Sequence, residues 1–263
     1  MLSSDKILID REDHVAYLTL NNPAKHNAIS LEMFDKIQQA TRDLAGDPSV
    51  RVLVIRGAGN KAFAAGADIS EFESQRSTPQ EIEAYVARSE PGYASVYKFP
   101  KPTVAMIQGW CVGGGLALAA ACDIRLCTDT SLFCNPTGKV AVGWGASGIR
   151  RVLDIVGPTY LKEMVFTGRN YSAFQAQRMG FVNEIFPAEV FESAVRQYVG
   201  RIAQLAPLSL SSVKQITGEL LKDPDERDDD LCFKLYMQCY TSADYAEGRR
   251  AFMAKRKPNF VGR

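Results

Sequence analysis

Two glycine-bearing segments hold the residues best suited to do chemistry in this chain. The first covers residues 63–69 and the second covers residues 109–115. Glycine lacks a Cβ atom, so a carbonyl oxygen can approach its backbone closely. Two backbone N–H groups that point at one oxygen form an oxyanion hole, which stabilises negative charge developing on that oxygen. The sequence therefore suggests an oxyanion hole that takes one N–H from each segment.

The second segment lies where a predicted strand, residues 103–107, turns into a predicted helix, residues 116–121. The N-terminus of a helix leaves N–H groups unpaired and carries partial positive charge, and both favour an anionic oxygen. A tight strand-to-helix turn that binds no ligand would use the same glycines. On this segment alone, both interpretations stay open.

A different glycine motif points to another function. Residues 143–148 match the dinucleotide pattern G-x-G-x-x-G, and they follow a short apolar stretch at residues 140–142. That motif requires an acidic residue at the end of a second strand about 20 residues later, and none is present. The residues after Gly157 and Pro158 have a helical pattern instead. The sequence therefore does not favour a dinucleotide site.

Composition excludes several classes of partner. The net charge of +1 gives no electrostatic reason to bind nucleic acid or a membrane surface. No apolar run reaches the roughly 20 residues of a membrane span, and residues 1–6 do not resemble a secretory signal. Two histidines and six cysteines without a C-x-x-C pair make a metal site improbable. We expect buried, reduced thiols and a cytoplasmic protein.

Buried strands alternate with helices in the first part of the chain, which predicts an α/β domain over residues 1–190. Predicted strands cover residues 14–20, 51–57, 103–107 and 123–127. Predicted helices cover residues 31–45, with Ser30 as N-cap, and residues 80–99, after a polar and mobile loop at residues 74–78. Residues 191–263 form a predicted helical C-terminal region, with helices over residues 191–206, 208–221 and 228–255.

Taken together, several motifs resemble those of the crotonase, or enoyl-CoA hydratase/isomerase, superfamily over essentially the whole length. The motifs are residues 20–28, 63–69, 113–115 with Cys122 and Asp123, 166–169, 180–183 and 252–258. The resemblance implies a crotonase-like spiral of ββα units and a C-terminal helical trimerisation region. It also implies an acyl-CoA thioester as substrate, no permanently bound cofactor, and a homo-oligomer that is a trimer or a dimer of trimers.

The resemblance assigns roles to residues of both glycine segments. The N–H groups of Ala67 and Gly114 would bind the thioester oxygen. The adenine pocket would be lined by Ala65, Gly66, Asp68 and Ile69. Lys25, together with Lys255 or Arg256 from a neighbouring helix, would meet the CoA phosphates, although a solvated surface explains those three cations equally well.

Two departures from the family pattern concern catalysis. Hydratases of this family carry a glutamate where this chain has Ala117 and a second one where it has Thr137. Adding water to a double bond needs a group that takes up and returns a proton near neutral pH, and neither alanine nor threonine can do so. We therefore do not expect ordinary hydratase activity, although enolate stabilisation by the oxyanion hole would survive.

The remaining polar candidates near the reacting atoms are Asn135, Thr137, Lys139, Trp144 and Ser147, each of which could equally be a loop or packing residue. In the family, Glu90 and Tyr93 would lie in the segment that borders the acyl pocket, and they could supply a proton from the other side.

Residues 244–262 resemble the methylmalonyl-CoA decarboxylase branch, a likeness that other branches share. The decarboxylase branch lacks the second glutamate and has a tyrosine where this chain has Trp144. That branch carries a histidine where this chain has Ala67. The resemblance therefore implies an acyl-CoA lyase or isomerase that acts through an enolate, with decarboxylation as one alternative and a catalytically silent acyl-CoA-binding protein as another.

Overall fold

The computed structural model describes residues 5–71 and 76–263. The polar loop predicted at residues 74–78 lies partly outside these described residues. Within them the chain forms one six-stranded sheet, one four-stranded sheet and nine α-helices.

The six-stranded sheet has the spatial order β1-β2-β3-β5-β7-β10. Its strands are β1 (Ile7–Glu12), β2 (Val15–Leu20), β3 (Val52–Gly57), β5 (Thr103–Ile107), β7 (Ile124–Thr128) and β10 (Glu184–Phe186). Only β1 and β2 pair antiparallel in this sheet, and the other neighbours are parallel. Central strands such as β5 are buried along their whole length, as expected for nearly continuous apolar runs in a parallel sheet.

The second sheet consists of four short strands in the order β4-β6-β8-β9. They are β4 (Ala62–Ala64), β6 (Trp110–Val112), β8 (Leu132–Cys134) and β9 (Tyr171–Ser172). From β3 to β8 the chain alternates between the two sheets, so each turn adds one strand to each sheet. This arrangement confirms the predicted α/β spiral, and it places the ends of β4 and β6 side by side.

The helices flank and close the spiral. They are α1 (Leu31–Gly46), α2 (Pro79–Tyr97), α3 (Gly114–Ala121), α4 (Ala146–Thr167), α5 (Ala173–Arg178), α6 (Phe191–Ala203), α7 (Pro207–Leu220), α8 (Asp229–Tyr240) and α9 (Ala243–Met253). The predicted N-cap of α1 is confirmed, because the Ser30 hydroxyl accepts a hydrogen bond from the Met33 N–H at 3.3 Å. Helix α2 packs along α1, where the rings of Phe34 and Tyr93 are 4.7 Å apart.

The C-terminal helices differ from the prediction in one respect. A single helix over residues 228–255 is wrong, because the chain breaks between α8 and α9. The Ser242 hydroxyl accepts a hydrogen bond from the Tyr245 N–H at 3.0 Å and so starts a new helix. Helix α6 covers the outer face of the six-stranded sheet, where Val195 and Val199 pack against Val52 and Val104. The boundary between residues 190 and 191 stays a prediction.

The six cysteines are all free thiols, but they are not all buried. Four are buried in the spiral, whereas Cys232 and Cys239 are partly exposed on α8, so the expectation of buried thiols is wrong for these two. These two thiols lie on a helix that has no buried residue. Among the described residues, no helix is both long and apolar enough to cross a bilayer. The cytoplasmic location stays a prediction.

Candidate active site

The structure brings the two glycine segments together. A Cβ atom placed on Gly114 would lie 3.2 Å from the Ala67 nitrogen, and one placed on Gly66 would lie 3.6 Å from the Gly114 nitrogen. Gly66 and Gly113 have φ values of +109° and +51°, which L side chains rarely adopt. Both segments therefore need glycine for their turns. Within the described chain, neither the Ala67 N–H nor the Gly114 N–H donates a hydrogen bond to the protein.

The loop before α1 holds the first segment in place. The His26 carbonyl accepts from the Ala65 N–H at 3.0 Å, and the Gly66 carbonyl accepts from the Ile29 N–H at 2.8 Å. The fully buried Asn27 side chain donates to the Ala58 and Ala62 carbonyls at 3.0 and 2.7 Å. In the sequence, Asn27 is part of the motif at residues 20–28, and no role of its own is predicted for it. Its left-handed φ of +57° and its buried amide identify it as a residue that positions the segment.

The second segment is held by the start of α3. Gly113 is the N-cap, and its N–H donates to the Cys134 carbonyl of β8 at 3.0 Å. The Gly114 N–H belongs to the first residue of the helix and so has no acceptor within it. The N–H groups of Ala67 and Gly114 therefore lie near each other on separate elements, and neither has an acceptor among the described residues.

Ala117 and Thr137, the two positions where hydratases of the family carry a glutamate, lie close to the second glycine segment. Ala117 is one turn into α3, on the same face as Gly114. Thr137 follows Pro136, whose ring lies 3.7 Å from a Cβ atom placed on Gly113. The Thr137 hydroxyl donates to the Asn135 side-chain oxygen, as does its N–H at 3.2 Å. The Thr137 hydroxyl is thus engaged within its own loop.

Glu90 and Tyr93 lie on consecutive turns of α2 but differ in their partners. Both carboxylate oxygens of Glu90 accept from the Arg151 guanidinium, at 2.9 and 3.1 Å, and Arg151 is almost fully buried. This pairing favours a positioning role for Glu90 over proton transfer. The Tyr93 hydroxyl, by contrast, lies 2.8 Å from a Cβ atom placed on Gly114. The Tyr93 hydroxyl therefore lies close to Gly114, while the Glu90 carboxylate is engaged by Arg151.

Three other candidates make contacts around α4. The Trp144 indole nitrogen would lie 2.3 Å from a Cβ atom on Gly148, so this ring packs over the first turn of α4. Ser147 is exposed in that turn. The Lys139 side chain lies over Gly168, 3.1 Å from a Cβ atom placed there. Trp144 and Lys139 thus have packing contacts, and a catalytic role stays a prediction for all three residues.

Lys25 and Asp68, two of the residues expected to bind CoA, form a polar cluster with Ser70 beside the first segment. Lys25 Nζ lies 2.9 Å from Asp68 Oδ2 and 2.7 Å from the Ser70 hydroxyl. Burial alone would raise the pKa of Asp68, but hydrogen bonds from Lys25 and Ser70 lower it below its ordinary value. Asp68 is therefore a carboxylate at neutral pH and holds the Lys25 ammonium in place. Ile69 is 72% exposed at the mouth of this cluster.

The two C-terminal cations expected at the CoA phosphates follow α9. Arg256 donates to both Glu247 oxygens, at 2.6 and 3.0 Å, and these hydrogen bonds lower the pKa of Glu247 to about 2. Lys255 is exposed and has a left-handed φ of +50°. Arg256 is thus engaged within its own chain, and a role at CoA stays a prediction for both residues. The described residues contain no group of three histidine, cysteine or acidic side chains placed to hold a metal ion.

The known proteins that this chain resembles are members of one family. The family model described as enoyl-CoA hydratase/isomerase matches residues 10–263. Crotonyl-CoA hydratase of Syntrophomonas wolfei is 29% identical over 262 residues, which is all of both chains. The probable mitochondrial enoyl-CoA hydratase 2 of Arabidopsis thaliana is 32% identical, over 93% of this chain and 81% of that protein.

A solved structure extends the likeness to the fold. The crystal structure of an enoyl-CoA hydratase/carnithine racemase from Magnetospirillum magneticum superimposes with a TM-score of 0.95 at 35% identity, covering 99% of this chain and 97% of that one. The spiral, the paired glycine segments and the full-length match agree with one another. The chain therefore belongs to the enoyl-CoA hydratase/isomerase family of the crotonase superfamily, whose members act on CoA thioesters.

Proposed function

We propose that this site binds an acyl-CoA with its thioester oxygen between the N–H groups of Ala67 and Gly114, and that it stabilises the enolate of that thioester. Two observations support the proposal. Both N–H groups lack a protein acceptor within the described chain, and the space between them is kept open by Gly66 and Gly114. Preorganised donors of this kind stabilise charge without having to reorganise during the reaction.

The reaction that fits these residues best is decarboxylation of a malonyl-type or methylmalonyl-type thioester. The C–C bond to the carboxylate breaks, its electron pair becomes the enolate, and CO2 leaves. The enolate carbon then takes up one proton and gives the shortened acyl-CoA. Breaking the bond needs no protein base, because the substrate carboxylate supplies the electrons. One observation supports this proposal: Ala117 and Thr137 occupy the positions where the resemblance implies the hydratase glutamates, while both glycine segments are present.

A turnover screen tests the proposal. Purified protein is offered crotonyl-CoA, a 3-enoyl-CoA, malonyl-CoA and methylmalonyl-CoA, and the products are separated by chromatography. We expect CO2 and a shortened acyl-CoA from a malonyl-type substrate, at a rate well above that of crotonyl-CoA hydration. Faster hydration or isomerisation would contradict decarboxylation. Acyl-CoA binding without turnover of any substrate would favour the silent binding protein.

We also propose that the protein assembles as a trimer or a dimer of trimers. The C-terminal helices expose large apolar side chains, with Phe233 66%, Phe252 82% and Met253 81% exposed. The groove between α7, α8 and α9 has a predominantly apolar lining. A monomer rarely leaves an apolar surface of this kind uncovered. A second chain that packs on it would bury these side chains.

Light scattering at micromolar concentration should therefore give three or six times the chain mass. A Phe252→Glu variant places a charge in the apolar surface, and we expect it to lower the measured mass. A Phe252→Leu variant keeps the surface apolar and serves as the control. A monomeric wild-type protein would refute this assembly.

A further inference from the structure

We infer that the Tyr93 hydroxyl is a third hydrogen-bond donor to the acyl thioester oxygen, beside the N–H groups of Ala67 and Gly114. A single point, the Cβ position on Gly114, lies 2.8 Å from the Tyr93 oxygen and 3.2 Å from the Ala67 nitrogen. The hydroxyl and the amide therefore border the same small volume. This inference rests on the proposed function, because it requires the thioester oxygen to occupy that volume.

The Tyr93 hydroxyl has no hydrogen-bond partner within the described chain, whereas the hydroxyl of buried Tyr171 meets Thr167 at 3.2 Å. Tyr93 is only partly buried, and its hydroxyl oxygen is not sealed from solvent. The hydroxyl is therefore free to donate to a ligand oxygen that enters the site. A ligand oxygen at the site would supply the missing acceptor.

Packing fixes the ring so that the hydroxyl keeps this direction. One edge lies against Phe34 of α1, at 4.7 Å between ring centroids. The Arg151 guanidinium lies 5.8 Å from the ring centroid, and Glu90 holds that guanidinium with two hydrogen bonds. Donors fixed in this way need little reorganisation when charge develops on the oxygen. The Glu90–Arg151 ion pair then acts as a positioning device for Tyr93.

The ionisation of Tyr93 agrees with a donor role. Burial raises the pKa of Tyr93 well above its ordinary range. The phenol therefore keeps its proton at neutral pH and cannot serve as a base. In this role the O–H bond stays intact and only its hydrogen bond to the enolate oxygen strengthens. A donor that keeps its proton suits the proposed decarboxylation, in which the substrate carboxylate supplies the electrons.

Isotope-edited infrared spectroscopy of bound butyryl-CoA, labelled with ¹³C at the carbonyl, tests the inference. Donors at the carbonyl oxygen lower its stretching frequency below that of free butyryl-CoA. We expect Tyr93→Phe to return the frequency part of the way to the free value and to lower turnover by roughly 10²-fold, as removal of one such donor does. The matched control is Tyr97→Phe, which makes the same change one turn along α2 and should behave like the wild type.

The outcomes separate the two proposals. A wild-type carbonyl frequency equal to that of free butyryl-CoA would overturn the proposed oxyanion hole itself. A shifted wild-type frequency that Tyr93→Phe leaves unchanged, with unchanged turnover, would overturn only the role of Tyr93. If Tyr93→Phe fails to fold or to bind, 3-fluorotyrosine at position 93 gives a more acidic phenol of nearly the same size. The frequency should then fall further, and an unchanged frequency would overturn the inference.

Discussion

Replacing Gly114 by proline should lower turnover by roughly 10²–10³-fold while the protein still folds. Proline removes the backbone N–H that we propose as one donor to the thioester oxygen. Gly114 is the first residue of α3, so its N–H has no helical acceptor to lose. Proline also adds a Cβ atom that would lie 2.8 Å from the Tyr93 oxygen and so distorts the turn. The loss should therefore appear in steady-state turnover of the substrate found in the screen, with circular dichroism showing an intact fold.

Two further variants distinguish loss of the Gly114 N–H donor from loss of the space for the thioester oxygen as the cause of lower turnover. Gly114→Ala keeps the N–H but places a Cβ atom 2.8 Å from the Tyr93 oxygen, in the volume proposed for the thioester oxygen, so we expect weaker acyl-CoA binding. Gly200→Ala serves as the control, because a Cβ atom there meets nothing within 4 Å. A folded Gly114→Pro protein with wild-type turnover would show that the reacting oxygen binds elsewhere.

The parts of the fold that sequence could predict are those with a local signal. The N-cap Ser30 and the apolar run of β3 are read from a few neighbouring residues, and the structure has both. The short strands β4, β6 and β8 each span three residues, too few for a two-residue alternation to be recognised. The break at Ser242 was missed because the helical pattern continues on both sides of it.

In the candidate site, too, the residues with a local sequence signal could be predicted and those placed by long-range packing could not. The two glycine segments can be recognised in the sequence, because their turns require residues without a side chain. The position of Tyr93 cannot be recognised in this way. Its place beside Gly114 is set by the packing of α2 on α1, which residue spacing does not reveal. The same holds for Glu90, whose pairing with Arg151 joins residues 61 positions apart. A carboxylate near the site was a reasonable candidate base until its partner was known.

Hydration of crotonyl-CoA by the unmodified protein should be weak or absent. Each positioned acid or base contributes about 10²–10⁴-fold to such a reaction, and both expected groups are missing. The double variant Ala117→Glu with Thr137→Glu should raise the hydration rate, if the surrounding backbone is hydratase-like. Rates of water addition are followed by loss of the enoyl absorbance. The double variant with glutamine at both positions is the matched control, because it adds the same bulk without a group that titrates.

The dependence of hydration activity on pH in the double glutamate variant is a stronger test of this interpretation than its rate alone. Two carboxylates close together in a partly buried site cannot both ionise easily, so at least one should have a raised pKa. A protonated carboxyl at neutral pH is the acid that hydration needs, so activity should fall as pH rises through that pKa. If instead the unmodified protein hydrates crotonyl-CoA at ordinary family rates, our interpretation of Ala117 and Thr137 is wrong. Glu90 would then be the first base to test, and its Arg151 partner would have to release it during turnover.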